Sequence, residues 1–66
     1  MRYKGVRMHK LSKQEQKIVE LIGQAKTNKE IAQEIGIKET SVAVYIHNLC
    51  RFVGASNRID LFNKLK

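Results

Sequence analysis

The stretch that decides the fold reads TNKEIAQEIGI over residues 27–37 and continues as TSV over residues 40–42. A helix-turn-helix needs a small residue where its two helices cross, a glycine in the turn and an apolar anchor on the second helix. Ala32, Gly36 and Val42 supply these three features at spacings of four and six. Glycine suits the turn because a left-handed backbone costs a residue with a β-carbon about 1 kcal/mol or more. The stretch therefore predicts a helix-turn-helix.

Helical spacing extends on both sides of this stretch, from Leu11 onward, without a single proline. Capping-box patterns at Ser12 with Glu15 and at Thr27 with Glu30 predict the starts of the first and second helices. The third helix is expected over about 39–53, ending at Gly54, and the fourth over about 56–65. The predicted fold is all-α: a compact four-helix bundle over residues 11–66, preceded by a basic N-terminal arm over residues 1–10.

The charge balance indicates the class of partner. Thirteen Lys and Arg against six Asp and Glu leave a net charge of +7, which favours nucleic acid first and an anionic membrane surface second. A basic domain with neither partner remains an alternative. One cysteine and two histidines exclude a disulfide framework and a four-ligand zinc site. No apolar run approaches the roughly 20 residues of a membrane span, and residues 1–10 lack the apolar core of a secretory signal, so a cytoplasmic location is expected.

The third helix has two distinct faces at about 100° per residue. Its apolar sector, expected to face the core, comprises Val42, Ile46, Leu49 and Val53. The opposite face mixes short polar and apolar side chains without carboxylates, as a helix in a DNA major groove should. Its residues are Thr40, Ala43, Val44, His47, Asn48 and Arg51. The candidate base contacts are Thr40, Ala43, Val44, His47 and Asn48. An ordinary solvated face is the alternative.

Phosphate contacts are expected at the start of the second helix, where free amides and the helix dipole favour an anion, and at the edge of the third helix. The candidates are Thr27, Asn28, Lys29, Tyr45 and Arg51. Thr27 is also a simple cap, and Tyr45 is equally suited to packing at the edge of the core. Arg2, Lys4 and Arg7 of the arm are expected to follow the DNA backbone or enter a minor groove, or else to form a solvated tail.

The chain resembles the LuxR/GerE-type helix-turn-helix domain of bacterial response regulators and quorum sensors. The resemblance covers about residues 11–61. The residues that carry it are Leu11-Ser12, Glu15, Ile18-Val19, Leu21-Ile22, the block 27–32, Ile35, Ile37, Ser41-Val42, Leu49, Val53-Gly54-Ala55 and Arg58. It implies a bacterial or phage DNA-binding domain whose third helix enters the major groove, at work on the nucleoid. It also implies homodimers formed through the fourth helix, for which Ile59, Phe62 and Leu65 are the candidate interface.

Five positions depart from the family pattern. Three of them, Ala43, Tyr45 and Phe52, stand where the family often has lysine, histidine and lysine. Gln14 replaces a frequent arginine. Lys38 replaces the usual serine cap of the third helix, so Thr40 or Ser41 is expected to provide the cap. The resemblance therefore does not carry over a base preference, and it implies a low intrinsic affinity for DNA.

Two functions from different classes follow. The first is a transcription regulator that binds double-stranded DNA as a homodimer. The second is a protein-interaction module that uses the same fold to bind RNA polymerase, a sigma factor or another regulator. An enzyme is excluded, because the sequence offers no nucleophile–base pair, no carboxylate pair on a helix face and no glycine-rich phosphate loop. No cofactor, metal or small-molecule ligand is expected.

Overall fold

The computed structural model describes residues 10–65, which form four helices. They are α1 (Lys13–Gly23), α2 (Asn28–Ile35), α3 (Glu39–Val53) and α4 (Arg58–Leu65). The predicted all-α class and the number of helices are confirmed. Only α4 differs noticeably, since it begins two residues later than expected. Of the predicted basic arm, Lys10 alone lies within the described residues.

Both predicted capping boxes form. The Ser12 hydroxyl accepts from the Glu15 amide at 3.1 Å, and the Glu15 carboxylate accepts from the Ser12 amide at 2.9 Å. Thr27 and Glu30 make the same exchange at 3.1 and 2.8 Å. The Thr27 amide holds the pKa of the Glu30 carboxyl below its ordinary value. The starts of α1 and α2 are therefore set by local hydrogen bonds that the sequence pattern predicts.

The predicted cap of α3 is wrong. Lys38 occupies the cap position in an extended conformation, and no side chain caps the helix there. Because α3 begins at Glu39, Thr40 and Ser41 already lie in its first turn, past the position from which a side chain caps. At α4, by contrast, the Asn57 side chain accepts from the Asp60 amide at 2.8 Å. This cap places the start of α4 at Arg58.

The core is built from one face of every helix. α2 packs against α3, and α4 packs against both α1 and α3. The buried hydrophobic residues are Leu11, Ile18, Val19, Leu21, Ile22, Ile31, Ala32, Val42, Leu49, Val53, Leu61 and Leu65. No polar or charged side chain of residues 10–65 is buried among them. Within the same residues, no helix is long and apolar enough to cross a membrane.

A glycine at the end of α1 allows close contact with α4. A β-carbon added at Gly23 would overlap three carbons of the Phe62 ring, Cε1, Cζ and Cδ1. The ring therefore lies directly on the backbone at the end of α1. The turn that follows holds Ala25 at φ 63°, a left-handed conformation that side chains disfavour.

Substituting Gly23→Ala is expected to destabilise the fold by about 1–3 kcal/mol, because the new methyl group forces the Phe62 ring out of its place. Urea denaturation measures the change in the free energy of unfolding. In a Phe62→Ala background the same substitution should cost nothing, because the overlap is gone and alanine favours helix over glycine. An equal loss in both backgrounds would contradict the contact.

Substituting Ala25→Gly is expected to stabilise the fold by roughly 0.5–1 kcal/mol, because glycine adopts a positive φ without the penalty that alanine meets. The matched control is Ala43→Gly on the exposed face of α3, which should instead destabilise by about 1 kcal/mol. Thermal unfolding of both variants measures whether their changes in stability have opposite signs. A destabilised Ala25→Gly variant would show that the turn is not strained.

Candidate nucleic-acid interface

The two faces of α3 are divided as the helical periodicity predicts. Val42, Leu49 and Val53 are buried, and Ile46 is half-buried against the core. The opposite face is exposed throughout and comprises Thr40, Ala43, Val44, His47, Asn48 and Arg51. These six residues are called the α3 outer face below. It offers a hydroxyl, two small apolar groups, an imidazole, an amide and a guanidinium, and no carboxylate.

The start of α2 offers backbone donors. The amides of Thr27 and Glu30 are used within the capping box. Among the described residues, no acceptor pairs with the amides of Asn28 and Lys29, which lie between them. Lys29 is exposed and adds a positive charge at the same helix end, where the dipole also favours an anion. The predicted phosphate contacts Thr27, Asn28 and Lys29 therefore sit on a helix end suited to an anion.

Tyr45 is half-buried and packs against the core. Its hydroxyl accepts a hydrogen bond from the Gln14 amide of α1 at 3.4 Å. Tyr45 had two interpretations, packing at the edge of the core and contact with phosphate, and its ring packs at the edge of the core. The phosphate contact of its hydroxyl remains a prediction.

Arg58 is a polar residue whose contacts sequence reasoning did not anticipate. The Nη1 atom donates to the Asn28 side-chain oxygen at 2.7 Å, and Nη2 donates to the Lys26 carbonyl at 3.1 Å. These bonds span 30 and 32 residues and join the start of α4 to the start of α2. No periodicity or spacing signals such a contact. Only the family resemblance singled out Arg58, and it assigned the residue no role.

A small cleft of about 250 Å³ opens between the start of α1 and the second half of α3. It is lined by Lys10, Leu11, Glu15, Asn48, Leu49 and Phe52. Phe52 is 41% exposed there, at a position where the family often has a lysine.

Cys50, on the same helix, is half-buried, and burial raises the pKa of its thiol, as expected for a structural cysteine. In residues 10–65, no three His, Cys, Asp or Glu side chains are grouped to hold a metal ion.

The three candidate dimer residues of α4 differ in exposure. Leu65 is only 4% exposed and belongs to the core, Phe62 is half-buried over Gly23, and Ile59 is 62% exposed. Of these three residues, only Ile59 presents a large apolar surface to solvent. The homodimer remains a prediction from the family resemblance, and Ile59 is the candidate residue whose exposure suits it. Arg2, Lys4 and Arg7, the candidate contacts of the arm, lie outside the described residues.

Tyr45→Phe is expected to lower the free energy of unfolding by less than about 1 kcal/mol, because it removes one long, partly exposed hydrogen bond. Tyr45→Ala should cost roughly 2 kcal/mol or more, because it also removes the packed ring. Urea denaturation of the two variants separates the hydroxyl from the ring. Equal losses would show that the ring contributes nothing to the fold.

Comparison with known proteins gives one family and two relatives. The family model described as "Bacterial regulatory proteins, luxR family" matches residues 9–65. The chain is 36% identical over 56 residues to the transcriptional regulatory protein DesR of Bacillus subtilis (strain 168), an alignment that covers 85% of this chain and 28% of DesR. It is 36% identical over 52 residues to the two-component response regulator PprB of Pseudomonas aeruginosa, covering 79% of this chain and 19% of PprB.

The chain thus spans less than a third of the length of either relative. No solved structure matches it at a comparable level of significance.

Proposed function

This chain belongs to the luxR family of bacterial regulatory proteins, and we propose that it binds double-stranded DNA with α3 in the major groove, as part of a transcription regulator. The family is one of DNA-binding regulators and not of enzymes, so the prediction that the chain is not an enzyme is confirmed. The relatives are named as a transcriptional regulatory protein and a response regulator.

The observation that carries this proposal is the α3 outer face. Major-groove edges present hydrogen-bond donors, acceptors and the methyl group of thymine. His47 and Asn48 can pair with donors and acceptors, while Ala43 and Val44 suit a thymine methyl group. A carboxylate in this surface would repel the phosphates that flank the groove, and there is none among the six residues of the face.

Phosphate contacts on both sides of the α3 outer face are proposed to orient the domain on DNA. Arg51 lies in the last turn of α3, and Lys29 lies beside the open amides of α2. Such contacts supply affinity and register without base preference. The net charge of +7 supports the same partner over long range. Tyr45 and the arm residues are secondary candidates for the backbone.

Assembly and location complete the proposal. Two copies are proposed to associate through the α4 surface around Ile59 and to bind paired half-sites. The proposed location is the cytoplasm, on the nucleoid, where duplex DNA is available to a bacterial regulator.

A protein partner is the second candidate function. It is favoured by two large apolar side chains of α3, Val44 at 58% and Phe52 at 41% exposed. A module binding RNA polymerase, a sigma factor or another regulator would use such surface and would depend little on salt.

We expect random-sequence duplex DNA to bind with an affinity that falls steeply with salt, since phosphate contacts release counterions. Fluorescence anisotropy across a salt series measures the log–log slope. Lys29→Ala and Arg51→Ala should each weaken binding and reduce the slope by about 1. The matched control is Lys64→Ala, which removes the same charge from α4, where Lys64 pairs with Asp60 at 3.9 Å.

Unchanged slopes for Lys29→Ala and Arg51→Ala, or no binding at low salt, would contradict the proposed mode. The second result would favour the protein partner, which a pull-down with RNA polymerase then tests directly.

A further inference from the structure

Arg58 holds together two parts of the chain that the proposed function uses separately. It is the first residue of α4 and is half-buried. Its guanidinium reaches back to the turn before α2, with Nη1 2.7 Å from the Asn28 oxygen and Nη2 3.1 Å from the Lys26 carbonyl. The shorter bond has the length of a charge-assisted hydrogen bond. Two bonds from one planar group fix the orientation of both acceptors.

The consequence for Asn28 follows from the chemistry of the two groups. A guanidinium carries only donors, so the Asn28 amide must present its oxygen to Arg58. The Nδ2 group then takes no part in the contact with Arg58. Within residues 10–65, no acceptor pairs with it. Asn28 is also the first residue of α2, next to the open backbone amide of Lys29.

A freely rotating asparagine would present its oxygen, which repels a phosphate, as readily as its amide. With the oxygen held by Arg58, the side chain offers only donors to an incoming anion. The rotamer entropy that an asparagine loses on binding is also lost in advance, when the domain folds.

We infer that Arg58 is a positioning residue for DNA: it acts through Asn28, whose side-chain amide it orients as a phosphate donor at the start of α2. The inference rests on the proposed function, since it deepens the role of that helix end. Arg58 itself touches no phosphate in this scheme. Its positive charge is directed at Asn28 and at the Lys26 carbonyl.

A double-mutant cycle tests this mechanism with the full chain and random-sequence duplex DNA, at one low salt concentration for the cycle and across a salt series for the slope. Its variants are Arg58→Lys, Asn28→Ala and the two combined. Lysine keeps the charge but cannot make both bonds at once. Each single variant should weaken binding about three- to ten-fold, the effect of one hydrogen bond, and the combination should be no weaker than Asn28→Ala alone. The salt slope should remain unchanged, because no charge is removed.

Asn28→Asp is expected to change the melting temperature and the affinity for DNA in different directions. The carboxylate keeps an acceptor for Arg58 and is favoured by the dipole at the first turn, so the melting temperature should be equal or higher. DNA binding should nevertheless fall about ten-fold or more, because a donor to phosphate is replaced by a negative charge. A fall in affinity without a fall in melting temperature places position 28 close to the bound DNA, and the double-mutant cycle then decides whether Arg58 acts through Asn28.

The side-chain amide resonances of Asn28 provide the direct observation. In ¹⁵N-correlated NMR spectra they should shift on adding DNA, and Arg58→Lys should both move them in the free protein and reduce their response to DNA.

Independent losses in the cycle, in which the double variant is weaker by the product of the single effects, would overturn the positioning role. A reduced salt slope for Arg58→Gln in both Asn28 backgrounds would show instead that Arg58 binds phosphate itself. If the unmodified chain binds no DNA while its Asn28 resonances still depend on Arg58, the proposed function fails and the positioning role fails with it. The hydrogen bond would then be a feature of the fold alone.

Discussion

The turn between α2 and α3 is the constraint on which the rest of the structure depends. The amides of Gly36 and Ile37 both donate to the Ala32 carbonyl, at 2.8 and 3.0 Å, and Gly36 has φ 86°. Nothing lies within 4 Å of the place where a β-carbon would stand at Gly36, so its requirement for glycine is purely conformational. This turn sets the direction of α3. The direction of α3 in turn decides which of its faces is buried and which remains as the α3 outer face.

A chain of this size has little core with which to hold that arrangement. Its only cysteine is free, and the described residues hold no metal-binding cluster. Order therefore depends on a continuous apolar core through all four helices and on hydrogen bonds at the helix ends. The bonds from Arg58 to Lys26 and Asn28 add a link between α4 and the start of α2. In the proposed function, the same helix end binds phosphate, so stability and DNA binding share one set of residues.

Local features of this fold follow from the sequence. The capping boxes at Ser12 and Thr27, the turn at Gly36 and the two faces of α3 depend on residues within a few positions of one another. The contacts that sequence reasoning missed are long-range. Arg58 meets Asn28, and Phe62 lies on Gly23, only because α4 packs back along the molecule. The same packing decides that Leu65 is buried while Ile59 is exposed, although both occupy apolar positions of one short helix. The expected cap of α3 failed for a local reason, since the helix begins at Glu39 and excludes Thr40 and Ser41 from the cap position.

The candidate site was therefore more predictable in its composition than in its organisation. Periodicity selected all six residues of the α3 outer face, and each of them is exposed. It did not reveal that the Asn28 oxygen is engaged, that Tyr45 meets Gln14, or that Phe52 borders a cleft. These three features depend on how α1 and α4 pack around the helix-turn-helix.

Mapping the DNA-binding surface by NMR is the measurement that decides whether the α3 outer face binds DNA. A short random-sequence duplex would be titrated into ¹⁵N-labelled protein, and the backbone amide shifts followed residue by residue. We expect the largest changes in amide shift along residues 40–51 of α3 and at Asn28 and Lys29. Little change is expected at Lys64, the exposed lysine of α4. Changes around Ile59 without changes along residues 40–51, or the absence of specific changes at low salt, would contradict the assignment of DNA binding to the helix-turn-helix.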